Sequence, residues 1–151
     1  MNSKDKFEEF IEQGTIKKVS VDKERSKSLV IESERKMNSL KEQIEKIGVR
    51  DNNANDYLEY CYDIIMFLIR SKLYLEGYSS SGLGAHEAEV FYLTRLGFTE
   101  SDVRFADQLR YFRNGILYYG KRLDKNYAKK VIEFTKKSYP KLREIINKNL
   151  K

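Results

Sequence analysis

The sequence has no tryptophan, one cysteine, one proline and one histidine in 151 residues. Each scarcity removes a class of protein. A lone Cys61 permits no intrachain disulfide and cannot build a cysteine-based zinc site, so a disulfide-stapled scaffold is excluded and a reducing, cytoplasmic setting is expected. His86 is the one imidazole a Ser-His-acid triad would have; Ser79 to Ser81 lie close to it, but no nucleophile elbow surrounds them. Neither a phosphate-cradling glycine loop followed by Lys-Ser or Lys-Thr nor a dinucleotide fingerprint occurs, and no Cys and His cluster suggests a metal. No cofactor and no metal are expected. The longest apolar run, Ile64 to Ile69, is far too short to span a bilayer, and the opening MNSKDKFEEFIEQG lacks the apolar core of a signal peptide. No membrane association is expected.

What is present describes a charged, helix-rich globular chain. Hydrophobic residues make up 40% and charged residues 34%, a balance that supports a packed core and argues against disorder. The length fits a single domain: a short helix and connection over 1–20, then a bundle core over 21–151. Twenty-nine Lys and Arg against 23 Asp and Glu leave +6, a field that favours polyanionic partners, although scattered lysines also serve solubility. The clear basic bias lies between Lys121 and Lys151.

Apolar spacing places the helices. The first spans Lys4 to Gln13, with Phe7, Phe10 and Ile11 on one face and Gly14 closing it. A long outer helix runs from Val21 to Ile47. Asn55 to Glu76 is apolar almost all round, the mark of a central helix, and keeps a polar line of Asp56, Glu59, Asp63 and Arg70 that faces solvent, a partner or a site. Three glycines and three serines between Gly77 and Gly84 predict a loop. A helix over Ala85 to Leu96 ends at Gly97. Thr99 is an N-cap with Asp102 at the third position and Phe98 able to staple onto Val103, opening a helix that reaches Tyr119 with Ala106, Leu109, Phe112, Ile116 and Leu117 inward. The last helix, Lys125 to Asn149, contains Pro140, which predicts a kink or break near Tyr139. The expected fold is all-α: an antiparallel, up-and-down bundle of about five to six helices, with no alternating strand pattern.

Within the fifth segment, Leu109-Arg110-Tyr111-Phe112-Arg113-Asn114-Gly115 stands out. Arg113 shares the stripe of Ala106, Leu109, Ile116 and Leu117, so its guanidinium is drawn from water and needs an acid or an anion; Glu87, Asp63 and Glu59 are the candidate acids. Asn114 and Gly115 are poor choices for a helix interior, so this turn serves something besides helix stability. The plain alternative is that Arg113 snorkels outward and Gly115 admits a close neighbouring helix. Eleven tyrosines include Tyr111, Tyr118 and Tyr119 around the motif, where aromatic faces can stack on bases or simply pack.

Over Tyr57 to Leu142 the chain resembles the HEPN domain, through the apolar central helix, the loop into His86-Glu87, the helix ending at Leu96-Gly97 and the Arg113-Asn114 motif. In that family an Arg is followed by a polar residue, often Asn, and a few residues later by a His, and two protomers join their motifs to cleave RNA without metal. The resemblance assigns Arg113 and Asn114 to the motif and places Tyr118 where the catalytic His would stand. A tyrosine, with an ordinary pKa of about 10, is a poor base at neutral pH, so the motif is degenerate. His86, about 27 residues upstream of Arg113, is the alternative imidazole; as a structural residue it would instead cap the helix from Ala85.

The resemblance thus implies a homodimeric HEPN-like module with weak or absent RNase activity. It would bind RNA or a nucleotide through Arg113, Asn114, Arg110, Tyr111 and Tyr119, with His86, Glu87 and Asp63 nearby, and Tyr118 as the degenerate catalytic position. Such domains are often paired with a separate nucleotidyltransferase in toxin–antitoxin systems, and this chain carries no nucleotidyltransferase signature of its own. Two other readings stand beside it: an active, metal-independent endoribonuclease using Arg113 with Tyr118 or His86, and a structural or protein-interaction bundle.

Overall fold

The computed structural model describes residues 6–150. They form six helices: α1 (Lys6–Glu12), α2 (Lys23–Ile47), α3 (Ala54–Leu75), α4 (Ala85–Phe91), α5 (Glu100–Tyr119) and α6 (Lys125–Leu150). Two three-residue strands, β1 (Ile16–Lys18) and β2 (Tyr78–Ser80), and 3-10 turns at Asp51–Asn53 and Tyr92–Leu96 complete them. The expected all-α bundle is present. The expected start of the first helix at Lys4 lies outside the described residues.

The helix ends follow local chemistry. The carboxylate of Asp22 accepts from the Arg25 amide at 2.9 Å, so α2 starts after Asp22 and leaves Val21 outside. Thr99 accepts from the Asp102 amide at 3.0 Å, the cap read from the sequence, and Gly97 and Gly120 take the left-handed conformation that ends a helix. The segment expected as one helix from Ala85 to Leu96 tightens into a 3-10 turn after Phe91.

Helix α3 is the centre of the molecule. Leu58, Ile64, Leu68 and Ile69 are fully buried, and α2 and α6 both lie along α3. Small hydroxyls let α2 come close: Ser26 and Ser71 share a hydrogen bond of 2.6 Å, and Ser33 donates to the Ile64 carbonyl at 2.8 Å. With Gln43 donating to the Tyr60 hydroxyl at 3.2 Å, these pairs count up α2 while counting down α3, so the two helices are antiparallel. Helices α5 and α6 also oppose, with Lys137 donating to Asp102 at 2.7 Å, Phe105 against Phe134 and Phe112 against Tyr127. By contrast, Asn55 holds Lys121 and Leu123 just before α6, and Lys72 reaches Asn149 at its far end. Consecutive long helices therefore alternate in direction, while α3 and α6 run parallel against each other.

Three expectations need correction. The Gly77 to Gly84 loop contains β2, which pairs antiparallel with β1 through Ile16↔Ser80, Lys17↔Ser79 and Lys18↔Tyr78. Three residues are too few to show strand alternation. At the join, Gly77 has φ +78° and an added Cβ would stand 2.9 Å from the Val19 carbonyl oxygen, so glycine is required there. Pro140 does not break α6, whose helix runs unbroken to Leu150; Pro140 itself is exposed, while the neighbouring turns are held by buried Phe134, Leu142 and Ile146. Leu117 is 47% exposed and not inward, because the second half of α5 leaves the core after Leu109, with Phe112 and Ile116 only half-buried.

Candidate functional site

The geometry around Arg113 is set by three helices meeting at one buried aromatic ring. Tyr62, near the middle of α3, is 3% exposed, and its hydroxyl has no hydrogen-bond partner. The Arg113 guanidinium, from α5, stacks on that ring at 5.0 Å from its centroid, within the range of a cation–π contact. The His86 ring, from α4, meets the same tyrosine edge-on at 6.5 Å. The structure thus places the motif arginine and the single histidine against one side chain.

Helix α4 is held in place by Glu89, a buried carboxylate that accepts from Arg70 Nε on both oxygens at 3.1 Å and from the Ser80 hydroxyl of β2. Being one turn along from His86, Glu89 fixes the height of that ring against α3. Arg110 is occupied in the same way, donating to Asp107 at 2.8 Å. The two carboxylates in the cluster are thereby engaged. Arg113 makes no ion pair among the described residues, and its Nε is buried without an acceptor.

Burial lowers the pKa of His86 below its ordinary value, Glu89 pulls the other way, and Arg70, Arg113 and Arg110 lower it further. The imidazole is therefore neutral at neutral pH. Burial pushes the Tyr62 hydroxyl up to about 12, with Arg113 and Arg70 opposing. Tyr62 is accordingly a hydroxyl donor with no acceptor, beside a cation with no counter-ion. Chemically the cluster suits an oxyanion through two groups, a guanidinium to bind it and a neutral imidazole able to take a proton, while the buried Tyr62 supplies the ring on which both rest.

The other expected site residues divide differently. Asn114 lies one residue round the helix and lines a separate cavity of about 430 Å³ with Tyr111, Gly115, Tyr119 and Lys121. Tyr118 is 73% exposed and touches neither Arg113 nor the cavity, since a step of five residues carries it to another face of α5. Tyr111 and Tyr119 are also exposed. Asp63 does not neutralise Arg113, because it pairs with Lys36 of α2 at 3.2 Å; Glu87 and Glu59 form no ion pair with it either. His86 makes no capping bond, as Gly84 occupies the N-cap of α4. A Cβ at Gly115 would meet the Lys121 side chain at 3.5 Å, an ordinary van der Waals contact, so the packing leaves room for a side chain and does not require glycine there.

The sequence reading missed Tyr62 and Glu89. Tyr62 sits in a helix apolar on every side, where nothing marks one aromatic ring from another. Glu89, three residues after His86, carried a signal only as an acid between the apolar Ala88 and Val90. Among the described residues no group of three His, Cys, Asp or Glu side chains converges to hold a metal, and no helix is long and apolar enough to cross a membrane. In comparisons with known proteins, no family model matches the chain, and neither a curated protein nor a solved structure shows significant similarity.

Proposed function

We propose that this chain is a HEPN-like helical module that binds an RNA phosphate at Arg113, with two copies pairing along the outer face of α5 and a separate nucleotidyltransferase as a further partner. The observation that carries the reading is the unpaired Arg113 guanidinium, stacked on Tyr62 with a buried Nε lacking any acceptor. The buried Nε fixes the guanidinium in place, and its two Nη groups, which have no protein acceptor among the described residues, are left to make charge-assisted hydrogen bonds to a phosphate oxygen. The net charge of +6 attracts such a ligand at long range.

One observation favours a second reading, an active endoribonuclease: His86 contacts the same ring as Arg113 and is held neutral. In that reaction His86 takes the ribose 2′-hydroxyl proton while its oxygen attacks phosphorus. The bond to the 5′-oxygen breaks, a proton is returned to that oxygen, and a 2′,3′-cyclic phosphate remains. Arg113 balances the charge gathering on the phosphoryl oxygens.

Titrating a short fluorescent single-stranded RNA into the wild type and Arg113→Gln tests the binding. The variant should bind about tenfold more weakly, with a salt slope smaller by about one. RNA should also raise the pKa of His86, followed by NMR, because a phosphate stabilises the imidazolium. Equal affinity in both proteins sinks the reading. Cyclic-phosphate ends produced by the wild type and lost in His86→Gln would select the enzyme over the binding module.

A further inference from the structure

A second cluster of unpaired cations lies away from Arg113. Helices α2 and α6 both lean on α3 but scarcely touch each other, leaving a groove of about 820 Å³ between them. Its apolar surface comes chiefly from the Tyr139 ring and Pro140 of α6, with the nearly buried Met37 of α2 at its floor. Arg143 donates from Nη1 to the Tyr139 hydroxyl at 2.8 Å, with its guanidinium carbon 5.6 Å from the ring centroid, and its Nε is buried without an acceptor. Lys41, Lys136 and Lys148 line the same groove and make no ion pair among the described residues. Elsewhere on α2, Lys27, Arg35, Lys36 and Lys46 each have a carboxylate. Glu144 is the single acid in the groove wall.

Pro140 adds a further feature. Carried within the unbroken helix, its ring adds apolar surface to the groove wall beside Tyr139. A flat apolar surface, a tethered guanidinium and ammonium groups together match a ligand with two unlike ends. The volume falls within the few hundred to about 1,000 Å³ of small-molecule clefts.

We propose that this groove binds a small aromatic oxyanion, a planar ring bearing a phosphate or carboxylate, at a site separate from Arg113. The ring lies against Tyr139, Met37 and Pro140, and the oxyanion meets Arg143 and the flanking lysines. A solvated cation patch would hold the anion alone, whereas this site requires both halves of the ligand.

Phenyl phosphate and benzoate are the probes, followed by NMR on the Met37 methyl and the Tyr139 ring. Saturable shifts are expected, with phenyl phosphate binding at least about tenfold tighter than inorganic phosphate or phenol. Arg143→Gln should weaken binding about tenfold and Arg143→Lys by less, while Arg113→Gln should leave it unchanged. Lys148→Gln, at an exposed position where folding is not at stake, should weaken it severalfold. Inorganic phosphate or phenol binding as tightly as phenyl phosphate would overturn the proposal. So would unsaturable shifts, or equal affinity in wild type, Arg143→Gln and Lys148→Gln.

Discussion

Arg113, Tyr62 and His86 form the smallest unit with a chemical consequence. Tyr62 holds the guanidinium by its ring while its own buried hydroxyl has no partner, an arrangement that costs stability. Tyr62→Phe should therefore leave stability unchanged or raise it by up to about 1 kcal/mol, measured by urea denaturation. Because the hydroxyl is buried and the ring is kept, the same variant should leave RNA binding unchanged. A loss of stability above about 1 kcal/mol would show that the hydroxyl is satisfied in the native protein. Arg113 was legible in the sequence because a charge on an apolar stripe contradicts its surroundings. Tyr62 was not, since a tyrosine among apolar residues contradicts nothing, and only the meeting of α3 and α5 gives its ring a task.

At the scale of elements, α4 is the part whose position decides whether His86 belongs to the site. It has seven residues, too few to persist alone, and depends on tertiary anchors. Glu89 is the principal one, joining α4 to Arg70 of α3 and to Ser80 of β2. Glu89→Gln leaves Arg70 half-buried without its counter-ion and should cost about 3 kcal/mol, with faster amide exchange across α4. A cost under about 1 kcal/mol would mean that Arg70 simply turns to solvent. The start of α5 at Thr99 was legible because a cap bonds only to its own first turn, here the Asp102 amide at 3.0 Å. The strand pair was not, because it joins residues 60 or more positions apart, as in Ile16↔Ser80.

For the whole molecule, the open question of surface lies along α5. Tyr111, Leu117, Tyr118 and Tyr119 are 67%, 47%, 73% and 80% exposed, large apolar side chains spread round the end of a helix whose first half is core. If two copies pair there, sedimentation velocity should find a dimer. Leu117→Asp combined with Tyr118→Asp should convert it to a folded monomer with an unchanged far-ultraviolet circular dichroism spectrum and a melting temperature that no longer depends on protein concentration. A wild type that sediments as a monomer at high micromolar concentration would remove the proposed pairing. The outward position of Tyr118 also accounts for its separation from Arg113, five residues earlier on another side of the helix.

Periodicity and capping, which act within one helix, are written in local order, so composition and spacing alone determined the six helical segments, the central place of α3 and the odd position of Arg113. Which carboxylates were already engaged, which ring received the guanidinium, and how His86 reached it depended on contacts between elements distant in the chain. Those contacts were decided by packing, because burying α3 under α2, α4, α5 and α6 leaves each remaining side chain only the neighbours that the helices bring to it.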